Sequence, residues 1–213
     1  MTTALEKAIA GLYEAFASEP KPPTIEGCAC CIDEKDVKLL LSKPLRSLTP
    51  DDLSNYAQRV LLTVGSEADF KYFLPRILEI LAIEDGWWPD PEVIGTAITN
   101  SHWTKFSAIQ QNAIRQFFRE VLTDLIKAND GHGIDQWICA IARSKEDLKP
   151  YLCLVGQNPP ALIAFFEQNS ESLHEGRLEN AFWSDEPQNQ KILLDWFQSK
   201  HTKDLINKAY GLE

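Results

Sequence analysis

Three cysteines fall within four residues, in the string Gly27-Cys28-Ala29-Cys30-Cys31. Cys28 and Cys31 form a C-x-x-C pair, Cys28 and Cys30 a C-x-C pair, and Cys30 and Cys31 are adjacent. Thiolate is a preferred soft ligand for Zn²⁺, and the C-x-x-C spacing lets two sulfurs meet one tetrahedral ion. A mononuclear structural site needs four ligands, and there is no second C-x-x-C, so His102, His132, Cys139 or Cys153 would have to complete it. In a redox reading, Cys28 and Cys31 cycle between dithiol and disulfide, although the strand context of a thioredoxin-type site is missing. In a third reading the cysteines are small buried packing residues. Asp33 is placed to cap the next helix. The positive end of that helix favours a nearby thiolate, whereas Glu26, Asp33, Glu34 and Asp36 oppose it.

The remaining candidates have simpler explanations. Gly131-His132-Gly133 after Asp130 reads as a turn between helices, with Gly131 as a stop signal for the helix before it. Asp51-Asp52 and Asp33-Glu34 sit at helix starts, where acids complement the macrodipole. Trp87-Trp88, between Gly86 and Pro89, forms with Trp103 either a binding lip or an aromatic closure of the core. The sequence holds no P-loop, no G-x-G-x-x-G, no G-x-S-x-G and no H-E-x-x-H.

These residues must be positioned by helices. Over 106–127 the apolar residues Phe106, Ile109, Ala113, Ile114, Phe117, Phe118, Val121, Leu122, Leu125 and Ile126 recur at spacings of three and four, with Ser107 as N-cap. Similar patterns predict helices over 3–18, 34–42, 50–64, 67–84, 91–100, 134–144, 147–156, 159–169, 188–199 and 203–209, with a weaker one over 177–183. Thr49, Pro50 and Asp52 mark the start at 50, and Pro75 predicts a kink in 67–84. No segment alternates with period two, so the expected fold class is all-α: antiparallel helices in an irregular bundle or a HEAT-like α-α stack. Helix pairs recur at intervals of about 42 residues, within the range of two-helix solenoid repeats, but residue types do not repeat with them. The expected organisation is one helical domain over 1–213: an N-terminal helix and a Pro/Cys loop (1–32), then a helical stack (33–213).

Composition bounds the function. With 213 residues, 44% hydrophobic and 24% charged, the chain is neither disordered nor of low complexity. A net charge of −10 argues against a nucleic-acid surface. No apolar run approaches the roughly 20 residues of a membrane span. The first residues lack a basic leader followed by an apolar core, and five cysteines make an odd count, so a cytoplasmic, reducing location is expected.

An ordered set of residues also carries a likeness: Pro23-x-Ile25-x-Gly27-Cys28-x-Cys30-Cys31, Pro44-Leu45-Arg46-x-Leu48-Thr49, Asp52-Leu53-Ser54-x-Tyr56-Ala57 and Asp69-Phe70-Lys71-x-Phe73-Leu74-Pro75-Arg76. It resembles a widespread family of bacterial proteins of similar length that have no assigned activity, in which His often stands where this chain has Tyr72. The resemblance implies a bacterial origin and supplies no catalytic residue. It directs attention to the Cys loop, the Asp69–Arg76 helix and the Trp87-Trp88 turn. The loop is expected to pack on that helix near Asp69 and Arg76. The leading functional expectation is a non-enzymatic protein-interaction module, with Asp69, Arg76, Trp87 and Trp88 as its surface and another protein as partner. The alternative is a thiol-based protein that binds zinc or cycles redox state through Cys28, Cys30 and Cys31.

Overall fold

The computed structural model describes residues 1–28 and 30–212. The fold is all-α: eleven α-helices and three short 3-10 turns, with no strand among the described residues. None of these helices is long and apolar enough to cross a membrane. The sequence reads as one domain over 1–213, whereas the tertiary contacts fall into two compact units, Met1–Glu120 and Val121–Glu213.

The first unit contains α1 (Thr3–Ala15), α2 (Glu34–Ser42), α3 (Pro50–Ala57), α4 (Glu67–Ile83), α5 (Pro91–Asn100) and the first part of α6 (Ala108–Ala128). Its helices begin where side chains satisfy the orphan amides of a first turn. Asp33 caps α2 by accepting from the amides of Lys35 and Asp36, both at 2.8 Å. Thr49 with Asp52, Ser66 with Asp69, and Ser107 with Gln110 bond reciprocally at the starts of α3, α4 and α6. Helix α4 is the centre of this unit. Phe70, Phe73, Leu74, Ile77, Leu78 and Ile80 are fully buried on it, and the helix continues through Pro75 over all 17 residues. Helix α1 packs against α4, and α2 against α3.

The predicted helix over 50–64 stops at Ala57. Val60 and Val64 are buried as the periodicity demands, but a turn delivers them. Leu61 adopts the left-handed conformation at φ 61°, and its amide returns to Val64 O at 2.8 Å. The β-branched residues Val60, Thr63 and Val64 disfavour another helical turn here. Ile109, assigned from sequence to the apolar face of α6, is exposed.

The second unit contains α7 (Gly131–Arg143), α8 (Lys149–Gly156), α9 (Pro159–Leu173), α10 (Pro187–Gln198) and α11 (Lys200–Ala209), following the last turns of α6. Gly131 begins α7 and does not end α6. Asn129, at φ 54°, makes the turn, and Asp130 caps the new helix through the Gly133 amide. Gly131 opens α7 because it lies directly against α9, where a Cβ would stand 2.1 Å from the carbonyl oxygen of Ala164; at Gly133 a Cβ would meet the capping Asp130 and Leu125 instead. The weak helix predicted over 177–183 is a 3-10 turn at Ala181–Asp185. Asp135, buried on α7, accepts from Asn169 Nδ2 at 3.2 Å and from Trp183 Nε1 at 3.3 Å, which ties α9 and the 3-10 turn to it.

Two outcomes test this packing. Gly131→Ala should cost about 2 kcal/mol, read as a lower denaturation midpoint, because backbone cannot yield the missing space. Burial pushes the Asp135 carboxyl above the ordinary carboxylate range, although the Asn169 and Trp183 donors oppose the rise. The folded chain therefore holds that proton more tightly than the unfolded chain. This contribution to stability is lost as pH climbs from the unfolded value of about 3.9 through the higher folded one. Melting curves across that window should show Asp135→Asn gaining stability relative to the native chain as pH rises; a constant difference would contradict the burial argument.

Candidate metal centre

Pro20, Pro22 and Pro23 keep the segment after α1 out of a helix, and the chain leaves it extended. Two buried isoleucines, Ile25 and Ile32, pin the segment on either side of the cysteines. Between them the backbone pairs with the turn that ends α3. Gly27 bridges Val64 in antiparallel fashion, Cys28 N–H donates to Thr63 O at 3.1 Å, and Gly65 N–H donates to Glu26 O at 2.6 Å. Gly27 is required by this approach: a Cβ there would lie 3.0 Å from Ile32 Cγ2 and 3.2 Å from Val64 Cγ2. Gly65 is required twice, by φ 73° and by Tyr56, whose ring edge would stand 3.1 Å from an added Cβ.

Beyond this anchor the loop turns on itself. Cys31 N–H and Ile32 N–H both donate to Cys28 O, at 2.7 and 3.2 Å. The turn brings three sulfurs together. Cys28 Sγ lies 2.6 Å from Cys30 Sγ, Cys30 Sγ lies 3.7 Å from Cys31 Sγ, and all three fall within 4.8 Å of one another. Cys28 and Cys30 are exposed and Cys31 is half-buried, so the packing reading fails for the first two. Ala29, the residue between them, lies outside the described residues. A groove of ≈ 310 Å³ opens beside the loop, lined by Ile25, Gly27, Ile32, Glu34, Val37 and Lys38 among others. The Cys30 thiol and the backbone N–H groups of Cys30 and Cys31 hold the Cys28 thiol below its ordinary value. The Cys28 and Cys31 thiols push Cys30 up to about 11, so Cys28 gives up its proton before Cys30.

Three thiols this close can share one soft ion. Among the described residues of the first unit no histidine, carboxylate or further cysteine joins the cluster, so His102 does not complete it. Cys139 is buried in α7, and Cys153 is exposed on α8.

The residues expected to form an interaction surface divide differently. Asp69 is buried as the reciprocal cap of α4, accepting from Ser66 N–H at 2.9 Å. Arg76 donates through Nε to Leu48 O at 2.8 Å and through Nη1 to Glu79 at 2.7 Å; Glu79 also accepts from Tyr13 OH. Trp87 is buried, and its indole N–H reaches Pro50 O at 3.0 Å and Ser54 Oγ at 2.7 Å. Trp88 alone of the four is largely exposed, with its indole N–H on Gln58 Oε1 at 3.0 Å. The string Asp69–Arg76 is therefore a scaffold: one end caps α4, and the other fastens α4 to the 3-10 turn at Leu45–Ser47 and, through Glu79, to α1. The Cys loop joins the turn leading into α4, on the Asp69 side, while Arg76 is engaged elsewhere. The pairing partner of the loop, residues 63–65, escaped sequence reasoning; its signal was the β-branched run closed by Gly65 and the Ser66 cap.

Comparison with family models, with curated proteins and with solved structures gives no match. The chemistry of the site is read from its own residues.

The anchor has a direct test. Gly65→Ala should cost about 2 kcal/mol, from the left-handed backbone together with the crowding at Tyr56. Amide exchange at Cys28 and Gly65 should accelerate with it, since both amides belong to the pairing.

Proposed function

We propose that this protein binds a thiophilic metal ion, zinc by preference, through Cys28, Cys30 and Cys31. The observation that carries the reading is the convergence of three accessible thiols within 4.8 Å on a loop anchored at both flanks. Sulfurs held tetrahedrally on zinc at about 2.3 Å lie about 3.8 Å apart. Cys30 and Cys31, at 3.7 Å, already meet that spacing, and Cys28 has to open by about 1 Å from Cys30. Three protein sulfurs leave the fourth position to a solvent molecule or another outside ligand, the arrangement of an open rather than a closed structural site. The protein-interaction reading is the weaker one, because three of its four surface residues are engaged inside the fold.

Elemental analysis of the purified full chain tests the assignment. One equivalent of zinc is expected, lost in Cys28→Ser, Cys30→Ser and Cys31→Ser, and retained in Cys153→Ser. Metal-free protein that takes up no zinc or copper(I) when reconstituted under reducing conditions would overturn it.

A further inference from the structure

The spacing rule for dithiols selects Cys28 and Cys31, but the fold brings a different pair into contact. Cys28 Sγ and Cys30 Sγ are 2.6 Å apart, and both side chains are exposed and so open to small solutes. Cys31 Sγ stands 3.7 Å from Cys30 and is half-buried. A disulfide needs its sulfurs at about 2.05 Å, and the Cys28–Cys30 pair has less distance to close than the Cys30–Cys31 pair.

We propose that Cys28 and Cys30 form a reversible disulfide in response to a peroxide, and that this oxidation empties the metal centre. One sulfur of the pair, as thiolate, attacks a peroxide oxygen. The O–O bond breaks, the departing oxygen leaves as hydroxide and takes up a proton, and the attacking sulfur becomes a sulfenic acid. The second thiolate then attacks that sulfur; the S–S bond forms and the hydroxyl leaves as water with one proton. Two thiols and one hydrogen peroxide give one disulfide and two waters, with two electrons passing from the sulfurs to the peroxide. Cys31 remains as the single thiolate of the cluster, too few ligands to hold the ion. The release of metal rests on the metal-centre reading above; the disulfide does not.

The test uses the full chain carrying Cys153→Ser, so that the exposed thiol of α8 cannot cross-link molecules. Reduced protein, metal-free and zinc-loaded, receives one equivalent of hydrogen peroxide, and its thiols are counted before and after dithiothreitol. Two thiols should disappear and return. In the metal-free samples Cys31→Ser should lose its thiols at its parent's rate, while Cys30→Ser, which keeps the C-x-x-C pair, should lose its thiols reversibly about tenfold more slowly or not at all. In the zinc-loaded sample a chromogenic chelator should capture the ion in step with the thiol loss. A faster loss in Cys30→Ser than in Cys31→Ser would assign the chemistry to Cys28 and Cys31, and equal rates would show no preferred pair; either would overturn the pairing, as would oxidation that dithiothreitol does not reverse. Disulfide formation with the ion retained would overturn the coupling. A chain that never takes up zinc would remove the metal reading, and the thiol counts of the metal-free samples would still decide the disulfide.

Discussion

Two backbone hydrogen bonds, from Cys28 to Thr63 and from Gly65 to Glu26, fasten the proline-rich segment to the helical part of the first unit. A loop with three exposed or half-exposed thiols has little reason to keep one shape by itself, since each ordered residue costs about 1–2 kcal/mol of backbone entropy. Here the order comes from either side of the cysteines. Ile25 and Ile32 are buried, Gly27 lets the two backbones approach, and Gly65 supplies the left-handed turn that directs its amide back to the loop. The chemistry is exposed while its support is buried, so the sulfurs can stay accessible without being loose.

The same anchor gives α3 and α4 their forms. Helix α3 ends early so that residues 60–64 can turn and meet the loop, and α4 begins immediately after with the Ser66–Asp69 reciprocal cap. Asp69 is thus committed to the fold, as is Arg76 two turns further along. The charges that look most functional in the sequence hold the fold: Asp69 caps α4 beside the loop, and Arg76 fastens α4 to Leu48 O and Glu79. The reactive groups are governed by one another: Cys30 and Cys31 hold Cys28 below its ordinary value, and Cys28 and Cys31 hold Cys30 above its own.

Most of the helices are legible in the sequence because their starts are written in side chains that can do little else: Asp33, Thr49 with Pro50, Asp90 with Pro91, and Ser107. The readings that failed share one cause. At 58–64 and at Gly131 the local pattern is overruled by a partner distant in the chain, the Cys loop in one case and the backbone of Ala164 in the other. The site is legible in composition but not in geometry. Three cysteines in four residues name the chemistry, yet the C-x-x-C spacing selects Cys28 and Cys31, while the turn closed on Cys28 O presses Cys30 against Cys28. Trp87 and Trp88 are adjacent in sequence and opposite in fate: one indole is buried on α3, and the other is turned to solvent.

The central claim is that three sulfurs of one loop meet at one ion. X-ray absorption at the zinc edge, on the full chain reconstituted with one equivalent under reducing conditions, measures it directly. Three sulfur scatterers at about 2.3 Å with a single lighter one are expected. A first shell of oxygen and nitrogen alone, or spectra unchanged in Cys30→Ser, would contradict it.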